Sequence, residues 1–443
     1  MAGEHQAVDN RSRLGFGLGV AALIGGLAIG ATPLARRSGL GISPAIAADA
    51  LHLQARVELI GGCLLLALAL LWAMGRPRSA DRLRSLVTAT MLTGLASAAL
   101  AVCLNWAIVV GRVADHMALI PAILDLVAAG LYAVTIVQVV SRAEGPLAMA
   151  MLLHSGAAWL LAYAGSQFTY TAGRVFLDND KLLWFFDTPT MEMALLGFLV
   201  PTGLGLALGQ AALAARSRAL LRSLPLTLQA TNLCILLWVV LRIWCSRYPG
   251  GYQQLVLALV GLGLFACVMK IVSDSAPASG WWRAGGKGTV IPLGRDDCPQ
   301  FLAMLFLGIA AALLAVGAII AAGLGSAPPR ELFAAVVLAL TVGFFATLTS
   351  GLLGMSYVGQ ASSLPAGPPS PRLWRLNWKP ASRLLAVACW CVAAGVGLSM
   401  ALWLMSTVVE RSLAGLTLGA EVGLGFAVVV LLAWLWGAEA SGE

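Results

Sequence analysis

Residues 340–355, LTVGFFATLTSGLLGM, contain no charged side chain and are long enough to form most of a membrane-crossing helix. Small residues recur along one side of this helix, where Gly343, Thr347 and Gly351 are spaced four apart. Lipid tails are as apolar as leucine, so membrane helices gain little from apolar contact alone, and small residues let their backbones approach. The stretch therefore predicts a transmembrane helix that packs against neighbouring helices along its small-residue side.

The same pattern occurs elsewhere in the chain. The last apolar segment has a comparable row of glycines at Gly415, Gly419 and Gly423. The sixth segment, EMALLGFLVPTGLGLALGQ (192–210), can be aligned with LALTVGFFATLTSGLLGMSYVGQ (338–360). Gly197 then matches Gly343, each is followed by Phe, and both stretches end in Gly-Gln. This alignment predicts an internal repeat with parallel copies.

The composition indicates an integral membrane protein. The chain of 443 residues is 60% hydrophobic and only 11% charged, whereas soluble domains are about 25% charged. Its partner is therefore the lipid bilayer. The net charge of +8 does not indicate nucleic-acid binding, because the Lys and Arg residues lie in short loops between apolar spans, without a nucleic-acid-binding module.

The predicted fold is all-α, a polytopic transmembrane helical bundle of about twelve helices. A single transmembrane domain spans 14–437, between tails at 1–13 and 438–443, with cytoplasmic loops at 274–299 and 358–380. The predicted segments are 14–34, 56–75, 85–110, 117–141, 146–168, 189–213, 224–245, 252–273, 300–324, 331–357, 381–407 and 413–437. Of the 28 Lys and Arg residues, 18 lie on the side of the N-terminus, which predicts that both termini are cytoplasmic.

The sequence Leu-Thr-Val-Gly-Phe followed by Gly-Met, in a chain of about twelve helices, resembles the NnrS family. These are bacterial membrane proteins described as haem- and copper-containing, linked to nitric oxide stress and distantly similar to the catalytic subunit of haem-copper oxidases. The resemblance implies location in the bacterial inner membrane and a role in nitrogen-oxide stress or in haem and metal handling. It is strongest at 338–355 and weaker at 192–205.

The chain departs from the family where ligands are expected. A His commonly begins the family motif five residues before the Gly, and Leu338 and Glu192 stand at these positions here. The second helix of the family often opens with closely spaced His residues, whereas this chain offers only His52 there. The resemblance therefore implies shared ancestry with degenerate metal-ligand positions.

Only four histidines are present, at positions 5, 52, 116 and 154, which is too few for an oxidase-type site. One haem needs only one or two axial ligands, and His52 and His116 are the candidates because both lie near the same ends of predicted helices. The alternative is that both are polar residues at the membrane interface and that His154 makes a helix contact. The cofactor is left open between a haem and none, and the eight Cys residues contain no CxxC motif.

Charged residues within apolar spans are costly and mark candidate sites. The buried polar candidates are Asp125, Glu192, Glu421, His154 and Arg242, and Glu58 is a further charge near a helix entrance. They favour a small polar cavity for a ligand, a metal or a proton. The alternative is that the acids pair with Arg242 or with helix-end amides, and Asn105 is a candidate partner of Asp125.

Three functional hypotheses follow. The first is an NnrS-like protein with reduced metal sites, and the second is a secondary transporter that uses the buried carboxylates. The third is a non-catalytic subunit whose glycine rows pack against a protein partner or a second copy of the chain. No catalytic residue is assigned, because no nucleotide-binding loop, zinc motif or nucleophile motif occurs in a credible context.

Overall fold

The computed structural model is all-helical in the part of the chain that it describes. Helices account for 99% of these residues and none of them lies in a strand, which confirms the predicted all-α class. The described residues are 2–32, 50, 52–74, 81–109, 114–142, 147–177, 189–208, 218–247, 251–279, 298–324, 330–352, 394–398, 400–401, 405 and 423.

The helices follow the first ten predicted segments in order. The eleventh and twelfth predicted segments lie outside the described residues, except for a few positions. The helices are α1 (Ala2–Gly30), α2 (His52–Trp72), α3 (Asp81–Val109), α4 (Leu119–Arg142), α5 (Leu147–Leu177), α6 (Pro189–Ala207), α7 (Arg218–Arg247), α8 (Gly251–Ser279), α9 (Cys298–Leu324) and α10 (Leu332–Leu352).

Several of these helices are longer than the predicted apolar spans. Helix α1 starts within the predicted tail, α5 runs to Leu177, and α8 continues to Ser279 inside the predicted 274–299 loop. Hydropathy marks only the part of a helix that matches the bilayer core. Backbone hydrogen bonding can continue beyond it into polar sequence, which accounts for the difference.

Eight of the helices, α2–α4 and α6–α10, are long and apolar enough to cross a membrane. The apolar part of α1, Leu14–Gly30, is shorter. Large apolar side chains cover the outer faces of several helices, as expected for a surface in contact with lipid. On α4, α7 and α8 they include Ile123, Leu126, Val127, Val134, Val137, Leu233, Leu236, Leu237, Val240, Leu255, Leu259 and Leu262. The protein is therefore a multi-pass membrane protein.

Three helices occupy the centre of the described bundle. In α2, α6 and α10, 94%, 100% and 94% of the membrane-length window is buried, against 33–56% in the other five candidate spans. The three central helices also contact one another. Phe198 of α6 lies against Phe345 of α10, with ring centroids 6.3 Å apart, and Gly203 lies against Phe344 and Leu348.

Each central helix contains a π-helical segment: Val57–Cys63 in α2, Ala194–Leu199 in α6 and Ala339–Ala346 in α10. These segments contact each other in pairs, so they lie at one level of the bundle. A π segment inserts an extra residue into a helical turn and is found frequently at functional sites. The polar side chains around these three π segments are therefore candidates for a functional site.

A glycine in each π segment receives a bulky side chain from the preceding helix. A methyl group at Gly62, Gly197 or Gly343 would lie 2.6 Å from Leu23 Cδ2, Trp159 Cδ2 or Phe306 Cγ, respectively. The absence of a Cβ thus lets α1, α5 and α9 pack closely on α2, α6 and α10. The small-residue side predicted for α10 is used in this way at Gly343.

Candidate functional site

Glu58 in the π segment of α2 is the central polar residue of the described bundle, and its side chain is completely buried. Gln54, one turn earlier, donates from Nε2 to Glu58 Oε1 over 2.8 Å. On the other carboxyl oxygen, Glu58 Oε2 lies 2.5 Å from Thr341 Oγ1 in the π segment of α10. The carboxyl group therefore joins two of the three central helices at the level of their π segments.

Helix α1 supplies the wall of this site. Gly26 faces the Glu58 side chain and Gly30 faces Gln54, so closely that a methyl group at either glycine would overlap the side chain opposite. The two glycines are one helical turn apart and form a groove that accepts both polar side chains. We refer to Glu58, Gln54, Thr341, Gly26 and Gly30 as the Glu58 site.

The described contacts of Glu58 are electrically neutral. Its hydrogen-bonding partners within the described part of the chain are an amide and a hydroxyl. An ionised carboxylate without a countercharge is extremely costly in a low-dielectric interior. Glu58 thus differs from the two other buried carboxyl groups in the described helices, because each of those is paired with an arginine.

The first of these is Asp125 of α4, which is fully buried and lies 2.6 Å from Arg56 Nη2 of α2. Ser97 of α3 hydrogen-bonds to the other carboxyl oxygen and also lies 3.0 Å from the Pro121 carbonyl oxygen. Asn105, the partner considered from the sequence, does not have this role. The ion pair and the serine tie α2, α3 and α4 together.

The second is Glu192 of α6, which pairs with Arg242 of α7. Arg242 Nη2 donates to Oε1 over 2.9 Å and Nε donates to Oε2 over 3.1 Å, while Trp238 Nε1 donates to Oε2 over 2.7 Å. The pairing of a buried acid with Arg242, one of the sequence-based alternatives, occurs here. The bidentate Arg242–Glu192 pair gives both carboxylate oxygens a hydrogen-bond donor and holds α6 against α7.

The histidines do not converge on the centre of the bundle. The His52 ring is partly buried and lies 6.0 Å, between centroids, from Phe333 of α10. His116 is exposed in the turn Asp115–Ala118 before α4. His154 is exposed on α5, with Nδ1 2.7 Å from the Ala150 carbonyl oxygen.

The described interior lacks the ligand cluster of an oxidase-type metal centre. No group of three or more His, Cys, Asp or Glu side chains occurs among the residues that were placed. Leu338 is a buried apolar residue where the family resemblance would place a ligand. The rings of Tyr132, Phe198, Phe344 and Phe345 contact one another at the centre, with centroids 5.6–6.4 Å apart.

The predicted packing residues on α10 are all buried. Beyond Gly343, Thr347 hydrogen-bonds to the Val342 carbonyl oxygen five residues back, over 3.0 Å, and Gly351 is enclosed. The backbone N–H of Thr347 donates to the same carbonyl oxygen, and this five-residue backbone step is the hydrogen-bonding pattern of a π turn. Gly415, Gly419 and Glu421 lie outside the described residues, while Gly423 is exposed.

The sequence pointed to Glu58 only as one of several charges near a helix entrance, and it did not indicate Gln54 or Thr341 at all. The available signal was the density of polar residues in LHLQARVELIGG, where Gln54, Arg56 and Glu58 alternate within a membrane span. Such a pattern is typical of a helix with no lipid-facing side. Thr341 is 283 residues away from Glu58, so no local pattern connects the two.

The arrangement can hold a proton or a small cation on a carboxyl group inside the membrane, and Arg56 on the same helix is already paired with Asp125. Comparison of the chain with known families and with curated proteins gives no support for a more specific assignment: no family model matches, and no curated protein matches.

Proposed function

We propose that this protein is an ion-coupled membrane carrier in which Glu58 reversibly binds the coupling ion. The observation that carries the proposal is a fully buried carboxyl group among three membrane helices whose described partners are neutral. Such a group must be neutralised by a bound ion. Intramembrane carboxyl groups of this kind mark ion and proton pathways in transporters.

The other buried acids have a different role in this proposal. Asp125 and Glu192 each have an arginine within 3 Å, and so they serve as permanent ties between helices. Breaking such a buried pair would leave an uncompensated charge, which opposes cycling between loaded and empty states. Glu58 is the carboxyl group that is free of this constraint among the three.

The architecture proposed with this function has twelve helices in three successive four-helix units. The second helix of each unit is central, since α2, α6 and α10 are spaced four helices apart and each has a π segment with a glycine. In each unit, the first helix packs a bulky side chain on that glycine. The excess of Lys and Arg on the N-terminal side supports cytoplasmic termini.

Charge displacement on a supported membrane tests the proposal. Proteoliposomes containing the purified protein are exposed to rapid steps in pH and, separately, in Na⁺ concentration. We expect a transient current that is lost in Glu58→Gln and kept in His154→Gln, a control at an exposed position. Unchanged currents in a folded Glu58→Gln variant would contradict the role of Glu58.

A second candidate is an NnrS-like function in nitrogen-oxide stress or haem and metal handling. The observation that favours it is the position of Gly197-Phe198 and Gly343-Phe344, the residues that carry the resemblance, in matching π segments of α6 and α10. The test is an absorption spectrum of the purified protein with metal analysis on the same sample. A haem band that disappears in His52→Ala would favour this candidate over the carrier, and a colourless, metal-free sample would remove it.

A further inference from the structure

The protonation state of Glu58 follows from how many hydrogens are available for the hydrogen bonds around it. The Thr341 hydroxyl has one hydrogen to donate, yet Thr341 Oγ1 lies 2.8 Å from the Val337 carbonyl oxygen and 2.5 Å from Glu58 Oε2. If Glu58 were ionised, both neighbours would be pure acceptors. One of the two short oxygen–oxygen contacts would then have no hydrogen in it.

A proton on Glu58 resolves this conflict. Gln54 Nε2 donates to Glu58 Oε1, which places the acid hydrogen on Oε2. Glu58 Oε2–H then donates to Thr341 Oγ1, and Thr341 donates to the Val337 carbonyl oxygen. Each hydrogen bond from Gln54 through Glu58 and Thr341 to Val337 then contains one hydrogen, as expected for buried polar groups.

The same geometry disfavours a metal cation as the ligand of the carboxyl group. Hard cations need several oxygen ligands around them. At the Glu58 site, Gln54 presents its NH₂ group to the carboxyl group, and α1 presents Gly26, which has no side-chain oxygen. An amide hydrogen beside the carboxyl oxygen would repel a cation placed there.

Within the described part of the chain, the charged and titratable groups around the site do not supply an alternative neutralising charge. On the same helix, Arg56 is paired with Asp125, and Cys63 is a buried thiol at the end of the π segment. The neighbouring helices α1 and α10 contribute Gly26 and Thr341, neither of which is titratable in this context. These are the groups that the described structure places against the carboxyl group.

We infer that the ion bound by this site is a proton, held on Glu58 Oε2 as a neutral carboxylic acid that donates to Thr341. The inference deepens the proposed function, on which it rests for its use in coupling. Loss of the proton would turn Glu58 into an acceptor that competes with Val337 for the single Thr341 hydrogen. Proton release at α2 is thereby transmitted to the backbone of α10 just before its π segment.

Infrared spectroscopy of the purified full-length protein tests the protonation state directly. We expect a C=O stretching band of a buried carboxylic acid at neutral pH that is absent in Glu58→Gln. The band should shift in Thr341→Val, because its hydrogen-bond acceptor is removed, and should remain in place in Thr349→Val. No difference between the wild-type and Glu58→Gln spectra in this region would overturn the inference.

A second measurement separates the proton from a cation without a variant. Apolar carbodiimides react with protonated carboxyl groups, and mass spectrometry locates the adduct. We expect modification of Glu58 in preference to Asp125 and Glu192, which serve as internal controls because each is paired with an arginine, with no protection by excess Na⁺. Protection by Na⁺ would overturn the proton assignment and leave the proposed carrier function standing. Modification of Glu58 without charge displacement in liposomes would overturn the carrier function and leave the proton site standing.

Discussion

At the scale of single residues, the decisive difference between the buried acids is what neutralises them. Glu192 accepts three hydrogen bonds from Arg242 and Trp238, and Asp125 is held by Arg56 and Ser97. Glu58 has an amide and a hydroxyl instead. Three carboxyl groups with similar burial thus have two different environments. Two of them have an arginine beside them, and Glu58 has neutral partners in the described structure.

The hydroxyl of Thr341 is expected to contribute more to stability than other hydroxyls of the same helix. Thr341→Val removes the partner of Glu58 Oε2 and leaves a buried polar atom unsatisfied, at a cost of about 1–3 kcal/mol. Thr349→Val is the matched control, because Thr349 is also fully buried and bonds only to carbonyl oxygens of its own helix among its described contacts. Thermal unfolding in detergent should show a lower midpoint for Thr341→Val, and equal midpoints would argue against a special bond to Glu58.

The Glu192–Arg242 pair is expected to behave as a structural tie. Arg242→Met should destabilise the protein by about 3–5 kcal/mol, because Glu192 is left buried with its charge uncompensated. Adding Glu192→Gln should recover part of the loss, since the double variant has no unpaired charge. Denaturation of the two single variants and the double variant measures this coupling, and additive losses would show that the pair does not act as a unit.

At the scale of helices, the apolar runs predicted where the helices lie, but not how they are arranged. Helices α2 and α3 have equal hydropathy, yet one is central and the other faces outward over most of its surface. Burial in a membrane bundle does not require greater hydrophobicity, because lipid and protein interior are equally apolar. The better signal for α2 was the polar set Gln54, Arg56 and Glu58, which a lipid-facing helix would not tolerate.

The π segments were also beyond prediction from the sequence alone. The glycines at 62, 197 and 343 could be interpreted as packing positions, but we expect the extra residue in each turn to depend on the side chain that contacts the glycine from another helix. The hydroxyl groups of Thr341 and Thr347 bond to backbone carbonyl oxygens in and next to the segment of α10. Local sequence therefore permits the π segment, and tertiary packing selects it.

Substitution at the glycine of a π segment tests this dependence. Gly343→Ala would bring a methyl group within 2.6 Å of Phe306 Cγ, and overpacking of this kind costs about 1–3 kcal/mol. Phe306→Leu in the same chain should restore part of the stability by making room. Gly130→Ala on α4 is the control, since nothing lies within 4 Å of its added methyl group, and its unfolding midpoint should be equal or higher. A similar loss in both alanine variants would contradict the packing account.

At the scale of the whole molecule, three polar-bearing helices are enclosed by helices whose outer surfaces are apolar. The buried charges are thereby kept away from lipid, and the outward faces of the surrounding helices present apolar side chains. The two ion pairs tie the first two central helices to neighbouring helices of the surrounding layer, α2 to α4 and α6 to α7. The Glu58 site instead connects two central helices with each other.

The reactivity of two native cysteines tests whether the central helices are enclosed. Cys103 of α3 is exposed on the outside of the bundle, whereas Cys63 in the π segment of α2 is completely buried between central helices. A membrane-permeant alkylating reagent should therefore modify Cys103 well before Cys63 in protein reconstituted in lipid, with the sites identified by mass spectrometry. Both thiols should react after unfolding in strong detergent, which controls for their intrinsic reactivity. Early modification of Cys63 in the folded protein would mean that α2 faces lipid or water, and the enclosed Glu58 site would fail with it.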